Sequence, residues 1–328
     1  MRLRNCIGSL LLTLMLCSCN SWLDVDLINQ SEESDLFSTE RGFSEALAGV
    51  YCDIAASNMY GQTLSFGMLD IMSRIYDYSQ IPNKMKIFRD YDYENKDMKS
   101  YIYLLWSSFY ANIAALNNIL EWSEKNASVL SDERRNQVRG EALALRGLLH
   151  FDIYRLFATD VKLDPTARVL PYQTKFGVKT PPVYSTMDYL NLVIGDLEDA
   201  VKYLENDPIK EVKPYQLGNG DDENKDGADL YVARMNYYAT KALLARVYLS
   251  MGGDKIKDAR RLAEEVIDCG KFALVNYEKS LNTDEANKDL LFSDEHIFSL
   301  RGQNVKSDAE GVHKQITGTD GNVQMASG

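Results

Sequence analysis

The sequence predicts a mainly all-α protein in which helices stack in pairs and are joined by long irregular loops. Three observations predict this fold class. Long segments repeat apolar residues with the 3.6-residue period of an amphipathic helix. Two such segments near the C-terminal end are separated by a short glycine turn, which favours antiparallel packing. Residues 59–95 are instead rich in Tyr, Asp and Gly without a sustained period.

The helices can be placed in order along the chain. The first follows Ser38-Thr39-Glu40, where Thr39 is a candidate N-cap, and carries Phe43, Leu47 and Val50 on one face. After the irregular stretch at 59–95, the predicted helices cover 101–123, 131–158, 186–205, 233–251 and 256–269. Ser131 begins one of them, and either Ser185 or Thr186 caps another. In that helix, Asp196, Glu198 and Asp199 are expected on the solvent side.

The last two helices form a pair that is typical of tetratricopeptide-like repeats. Gly252-Gly253 ends the first and Gly270 ends the second. Leu244, Ala245 and Tyr248 have the large, small and aromatic spacing of the first helix of such a repeat, and Ala259 is the small contact of the second. The alternative is a helical domain with no repeat architecture.

The composition excludes some classes of protein. The chain has 328 residues, 45% hydrophobic and 26% charged, which is ordinary for a globular protein. A net charge of −12 with three histidines argues against a nucleic-acid-binding protein. Tyrosine is abundant, with 20 copies against 11 Phe and 3 Trp, and this ring presents an apolar face with a polar hydroxyl to ligands.

The N-terminus has the features of an export signal that ends at a lipid-modified cysteine. Arg2 and Arg4 precede an apolar run that is shorter than the roughly 20 residues of a membrane span. In "LLLTLMLCSCNSWLDVD", Cys19 has a small residue directly before it, whereas Cys17 follows a bulky leucine. We therefore expect residues 1–18 to be removed and Cys19 to carry the acyl chains. The alternative is an ordinary cleaved signal with incidental cysteines.

Two further cysteines remain in the mature chain. Cys52 and Cys269 could pair in an oxidising compartment, but nothing in the sequence indicates that they meet. The prediction is two buried free thiols.

The search for catalytic and transition-metal motifs favours a protein that is not an enzyme. His150 lies between Leu149 and Phe151 in a helix, which is typical of a hydrogen-bonded structural histidine rather than a general base. The sequence has no HExxH and no CxxC, and carboxylate pairs such as Asp196 with Asp199 are common on solvated helix faces.

One acidic loop partly matches a calcium-binding loop. In "DDENKDGADLY", Asp222, Asn224 and Asp226 occupy positions 1, 3 and 5, and a glycine occupies position 6. Position 12 is Ala233 rather than the bidentate glutamate. The alternative is a solvated acidic loop, and no other cofactor is predicted.

Seven segments taken in order resemble the SusD/RagB family of surface lipoproteins from Bacteroidetes. They are "NSWLDVD" after the lipid cysteine, "DLFSTERGFSEALAGVY", "LLWSSFYANIAALNNIL", "GEALALRGLLHFDIYRLF", "VIGDLEDAVKYL", "ATKALLARVYLSMGGDKIKDARRLAEEVI" and "SDEHIFSLR". The resemblance covers about residues 19 to 301 and implies capture of glycan or another nutrient at the outer membrane, without a chemical reaction. It also implies a partner, a TonB-dependent SusC-like transporter. Asp24 and Asp26, soon after the cysteine, suit export to the cell surface.

The resemblance places the ligand loops of the family partly within the irregular stretch. Sugar rings stack on aromatic faces, and their hydroxyls bind carboxylates and guanidinium groups. The stretch interleaves such residues, and the ligand-binding candidates are Asp70, Arg74, Tyr76, Tyr78, Tyr91 and Tyr93. The alternative is that the tyrosines only pack the loop onto the helices.

The resemblance also implies a domain division. Residues 1–18 are the expected signal peptide, 19–300 the SusD-like helical domain, and 301–328 a polar, Gly-rich tail. We expect this tail to be a loop that is cut before its closing elements. The alternative is that the chain is a complete, smaller relative of the family. The predicted function is non-catalytic glycan capture by an outer-membrane lipoprotein. The alternative function is a helical-repeat scaffold that binds another envelope protein.

Overall fold

The protein is mainly helical, as the sequence predicts. A computed structural model describes residues 33–74, 83–211, 231–275 and 295–317, with the single positions 278, 281 and 292. The helices are α1 (Glu40–Ile54), α2 (Met68–Ser73), α3 (Asn83–Arg89), α4 (Lys96–Lys125), α5 (Asp132–Phe157), α6 (Thr186–Tyr203), α7 (Tyr237–Met251), α8 (Lys255–Asp268) and α9 (Val305–Thr317). Single turns of 3-10 helix cover Ala127–Val129 and Pro208–Lys210.

Two short strands lie between α5 and α6. β1 (Arg168–Pro171) pairs antiparallel with β2 (Val183–Ser185), and Leu170 faces Tyr184 in the register. The hairpin leads directly into α6, and Leu170 is buried against the helices. It therefore holds the segment that follows β1 close to the core.

The predicted helix starts at Thr39, Ser131 and Ser185 are confirmed, whereas the helices predicted to begin at 101 and 233 begin at Lys96 and Tyr237. The Thr39 hydroxyl accepts a hydrogen bond from the Gly42 amide at 3.1 Å, so Thr39 rather than Ser38 caps α1. Ser131 caps α5, and Ser185 rather than Thr186 caps α6. Each such cap satisfies one amide that the helix leaves free and contributes about 1 kcal/mol.

Helix α5 is the centre of the core. Its residues from Val138 to Tyr154 are buried with few exceptions, whereas α4 and α6 bury one side each. A helix that is buried on all sides must be covered by several neighbours. Helices α4 and α6 supply most of this cover, and α1 and α7 add the rest.

The α7–α8 pair confirms the predicted repeat-like packing. The glycines that end the two helices have positive φ angles, +72° at Gly252 and +66° at Gly270, which other residues adopt only with strain. Leu244, Ala245 and Ala259 are all buried between the helices of the domain. The short turn brings α8 back along α7.

The irregular stretch is confirmed as far as the structure describes it. Residues 55–67 form successive turns, and within the described residues 55–74 and 83–95 the short helices α2 and α3 interrupt the loop. Met59, Ile71 and Phe88 are each at most 3% exposed, so apolar anchors fix this loop onto the helices.

The predicted tail loop is wrong over residues 305–317, which form α9. Val312 is 2% exposed, and Asp308 accepts a hydrogen bond from the Ser57 hydroxyl. The sequence does carry the signal, because Val305, Ala309, Val312 and Ile316 recur at helical spacing. The polar and glycine-rich composition of the tail obscured that pattern.

The cysteine prediction is confirmed in one respect and wrong in another. Cys52 and Cys269 are both free thiols. Cys52 is exposed and Cys269 is half-buried, so neither is a buried thiol. Cys52 lies on the solvent side of α1, between Tyr51 and Asp53, whereas the core side of that helix carries Val50 and Ile54.

Candidate functional site

Four of the six predicted ligand residues lie within the described part of the chain. Asp70 is in the first turn of α2, and Arg74 follows the end of that helix. Tyr91 and Tyr93 lie in the turn between α3 and α4. The other predicted positions, Tyr76, Tyr78, Cys19, Asp222, Asn224 and Asp226, lie outside the described residues.

The structure brings Arg74 and Tyr91 together. The guanidinium carbon of Arg74 lies 5.3 Å from the centre of the Tyr91 ring, which is cation–π distance. The Tyr91 hydroxyl donates to the carbonyl oxygen of Met72, and an Arg74 nitrogen donates to the carbonyl oxygen of Arg89 at 3.2 Å. The two side chains thereby tie the end of α2 to the end of α3.

Both residues have unusual backbone conformations. Arg74 has φ +58° and Tyr91 has φ +53°, in the left-handed region that costs about 1 kcal/mol or more for residues other than glycine. The hydrogen bonds above hold these conformations in place. They direct the Tyr91 ring outward, where it is 39% exposed.

An ion pair lies beside this contact. Arg89 donates two hydrogen bonds to Asp90, at 2.6 and 2.8 Å. The bonds from Arg89 lower the pKa of the Asp90 carboxyl below its ordinary value. The carboxylate therefore stays ionised and can accept hydrogen bonds from hydroxyl groups over a wide pH range.

Four exposed tyrosines lie in the stretch from Tyr91 to Tyr103, and we call this set the tyrosine face. Tyr91 and Tyr93 come from the turn, and Tyr101 and Tyr103 come from the second turn of α4. Their exposed fractions are 39%, 51%, 46% and 69% in that order. The Tyr101 ring meets the buried Phe88 ring edge-on at 5.0 Å, which anchors α4 against α3.

A row of aromatic rings continues from this face along α4. Tyr103, Trp106 and Tyr110 are spaced three and four residues apart, so they lie on one side of the helix. The Trp106 ring lies 4.9 Å from Tyr110 and 5.2 Å from Phe157. Sequence reasoning missed Tyr101 and Tyr103, which lie two residues apart and therefore project from different sides of α4; Tyr101 lies four residues before the buried Leu105.

The tyrosine face has the chemistry of a sugar-binding surface. Aromatic planes contact the apolar faces of pyranose rings, and phenol, guanidinium and carboxylate groups bind the hydroxyls. All of these groups are present within the stretch from Asp70 to Tyr103. In the part of the chain that the structure describes, no three His, Cys, Asp or Glu side chains are close enough to hold a metal ion.

His150 is a structural residue, as its position in the sequence predicts. It is fully buried, stacks on Tyr172 with ring centres 3.8 Å apart, and contacts the Tyr189 hydroxyl and the Gln173 carbonyl at 2.7 and 3.3 Å. Burial lowers its pKa to about 3. The neutral ring with hydrogen on Nε2 satisfies both contacts, so its nitrogens are used in holding the segment after β1.

Asp196 is not on the solvent side, and that prediction is wrong. Its carboxylate accepts two hydrogen bonds from Arg146, at 2.7 and 2.6 Å, and one from the Tyr172 hydroxyl at 2.7 Å. The charged side chains of Arg146 and Asp196 are only 8% and 11% exposed. Helix periodicity placed Asp196 outside because the periodicity contains no information about Arg146, a partner fifty residues away in the chain.

A second buried network surrounds Glu141. Burial raises the pKa of its carboxyl, while Arg234 and the Tyr51 hydroxyl oppose that rise. Arg234 also binds Asp207 at 2.6 Å, and the Asp207 carboxylate accepts from the Tyr237 amide at the start of α7. These charges join α5, α7 and the segment after α6.

Comparison with known proteins identifies the family. Residues 21–216, more than half of the chain, match the model of a SusD-like family described as "starch-binding associating with outer membrane". The chain belongs to this SusD-like family. No curated protein matches the chain.

Solved SusD-like proteins share the fold. A SusD superfamily protein from Bacteroides thetaiotaomicron has 23% identity and a TM-score of 0.56, covering 74% of this chain and 50% of its own. A SusD-like carbohydrate binding protein from Bacteroides vulgatus has 18% identity and a TM-score of 0.63, covering 87% and 57%. This SusD-like chain therefore spans about half the length of these relatives. None of its described helices is long and apolar enough to cross a membrane.

Proposed function

We propose that this chain is a non-catalytic, cell-surface glycan-binding lipoprotein. It captures an oligo- or polysaccharide and passes it to a TonB-dependent, SusC-like transporter in the outer membrane. The observation that carries the proposal is the tyrosine face in a member of a starch-binding family. Its four exposed rings offer aromatic faces on which sugar rings can stack.

The geometry of the face favours binding over catalysis. Glycoside hydrolysis needs two carboxyl groups on either side of the scissile bond, one of them with a raised pKa. The pKa of Asp90, beside the face, is lowered rather than raised because Arg89 binds its carboxylate. A carboxylate whose pKa is lowered serves as a hydrogen-bond acceptor for sugar hydroxyls at neutral pH and is poorly suited to act as a general acid.

The anchor proposed for this protein is a lipid on Cys19. Changing Cys19 to Ala should abolish acylation and move the protein from the membrane fraction to the soluble fraction, because the chain would lose its acyl chains. Metabolic labelling with a palmitate analogue measures this. Cys17→Ala is the matched control and should label normally. Labelling that persists in the Cys19 variant would refute the assignment of Cys19 as the lipid attachment site.

A polysaccharide screen tests the binding function. The mature chain is run through native gels that contain plant, host or fungal polysaccharides, and retention is measured against a gel without polysaccharide. Retention by at least one glycan class supports the proposal. If no glycan retards the protein while a barrel partner still co-purifies from membranes, glycan capture is rejected.

The second candidate function is a helical-repeat scaffold that binds another envelope protein, and an apolar groove along α7 and α8 favours it. The groove has a volume of about 420 Å³ and is bordered by Leu249, Ile256 and Ile267, which are 60%, 50% and 71% exposed. Exposed apolar surface of this kind is typical of protein contacts. The co-purification arm of the screen distinguishes this function from glycan capture.

A further inference from the structure

A second cavity lies on another part of the domain and shares no residue with the tyrosine face. It has a volume of about 430 Å³, which is within the usual range of ligand pockets, roughly 300–1,000 Å³. Its walls come from the turns after α1, the C-terminal half of α5, α7 and the segment that precedes α9. The apolar residues that line it are Leu64, Leu69, Leu148, Leu156, Phe298 and Leu300.

The wall that contains Phe298 is fixed in place. The Ser299 amide donates to the Val232 carbonyl at 2.8 Å, and the Asn236 side chain donates to the Ile297 carbonyl at 2.8 Å. The Phe298 ring also packs against Tyr51, with ring centres 6.4 Å apart. The cavity is therefore bounded by ordered backbone on this side.

A set of polar groups converges on the opposite side. The Tyr60 hydroxyl donates to one oxygen of Asp152 at 2.6 Å, and Arg155 donates to the other oxygen at 3.0 Å. Asp152 is 8% exposed, so its carboxylate is held within the wall. Burial raises the pKa of Tyr60 first and the nearby Asp152 charge raises it further, so the phenol stays protonated.

The charges of this group do not cancel. Asp152 balances Arg155, but Arg246 on α7 also lines the cavity as an exposed side chain, and its charge acts on Tyr60. Among the described residues that line the cavity, the positive charges therefore exceed the negative charges by one. A guanidinium at the open side of an apolar wall favours a ligand with one negative charge, and its planar fork suits a carboxylate.

We propose that this cavity binds a uronic acid unit of an acidic glycan. The carboxylate of the sugar pairs with Arg246, its hydroxyls bind Asp152, Tyr60 and Arg155, and its ring lies against the apolar wall that includes Phe298. This ligand uses all three features of the cavity, whereas a neutral sugar leaves Arg246 without a counter-charge and a simple anion leaves the apolar wall unused. The inference adds a second site and a sugar class to the proposed function.

Titration with sodium glucuronate, followed by ligand-observed NMR, tests the proposal. Glucose and the methyl ester of glucuronic acid are matched ligands without the charge, and acetate is a matched anion without the ring. We expect glucuronate to bind more tightly than all three. Arg246→Gln should weaken glucuronate by at least about tenfold, the loss expected when one charge-assisted hydrogen bond is removed.

A control variant separates the outcomes. Arg260→Gln removes a guanidinium from α8 that lines the other groove, so glucuronate affinity should not change. Stacking on the tyrosine face does not distinguish glucose from glucuronate, so the difference in affinity between these two ligands keeps this test independent of that face. The proposal would be overturned if acetate bound as tightly as glucuronate, or if Arg246→Gln and Arg260→Gln lost the same affinity for glucuronate. Binding of an acidic peptide in place of glucuronate would also overturn it. Absence of glucuronate binding would overturn it as well.

Discussion

Replacing Asp196 with Ala should destabilise the protein more than any surface change, because it leaves a charge buried without its partner. The substitution removes both Arg146 bonds, at 2.7 and 2.6 Å, and the Tyr172 bond at 2.7 Å. The guanidinium keeps its bond to the Asn117 side chain at 2.6 Å but loses its counter-charge. Breaking a buried pair in this way costs about 3–5 kcal/mol of the free energy of unfolding.

The control for this prediction lies three residues further along the same helix. Asp199 is exposed and pairs with Lys202 at 2.9 Å, so Asp199→Ala should change the free energy of unfolding by about 0.5 kcal/mol or less. Urea unfolding followed by far-ultraviolet circular dichroism measures both variants. The double variant Arg146→Met with Asp196→Leu should recover much of the loss, because it removes the unpaired charge. Equal losses from Asp196→Ala and Asp199→Ala would refute the reasoning.

Three further predictions concern the core, the histidine and the last helix. Gly147→Ala should destabilise the protein because a Cβ there would lie 2.7 Å from a methyl of Leu197. Gly195→Ala adds a Cβ that meets no atom within 4 Å, so it should stabilise α6 by up to about 1 kcal/mol. The midpoints of urea unfolding of the two variants measure both effects. Since burial lowers the pKa of His150 from 6.5 to about 3, stability should be full above pH 6.5 and fall as the pH drops from 6.5 towards 3. His150→Gln should flatten that pH dependence, and an unchanged slope would contradict the assignment. Val312→Asp should release α9 and make it a site of early cleavage in limited proteolysis with mass spectrometry, while the wild-type helix resists.

The helices could be predicted from the sequence because each depends on local information. The 3.6-residue period, the caps at Thr39 and Ser131 and the glycine at 252 are all signals within a few residues of the feature they predict. The position of Asp196 could not be predicted in this way. Its environment is set by Arg146, on another helix, and by Tyr172, in the segment after β1.

The candidate site was predicted only in part for a similar reason. The composition of the irregular stretch predicts Arg74 and Tyr91 as ligand residues, and the structure places these two side chains in contact with each other. Tyr101 and Tyr103 were missed because they belong to a regular helix, and the sequence does not reveal which side of that helix stays uncovered. The cavity at Arg246 combines residues from four separate segments, so no local motif could indicate it.

The central claim is that the tyrosine face binds glycan, and one affinity measurement tests it most directly. The dissociation constant for a polysaccharide that retards the wild-type chain is compared with that of the double variant Tyr101→Ala with Tyr103→Ala. If each ring contributes about 1 kcal/mol, affinity should fall roughly 30-fold. Phe176→Ala removes a ring that is 43% exposed but lies in the hairpin region, and it should leave affinity unchanged. Wild-type affinity in the double tyrosine variant, with the fold intact by circular dichroism, would contradict the account.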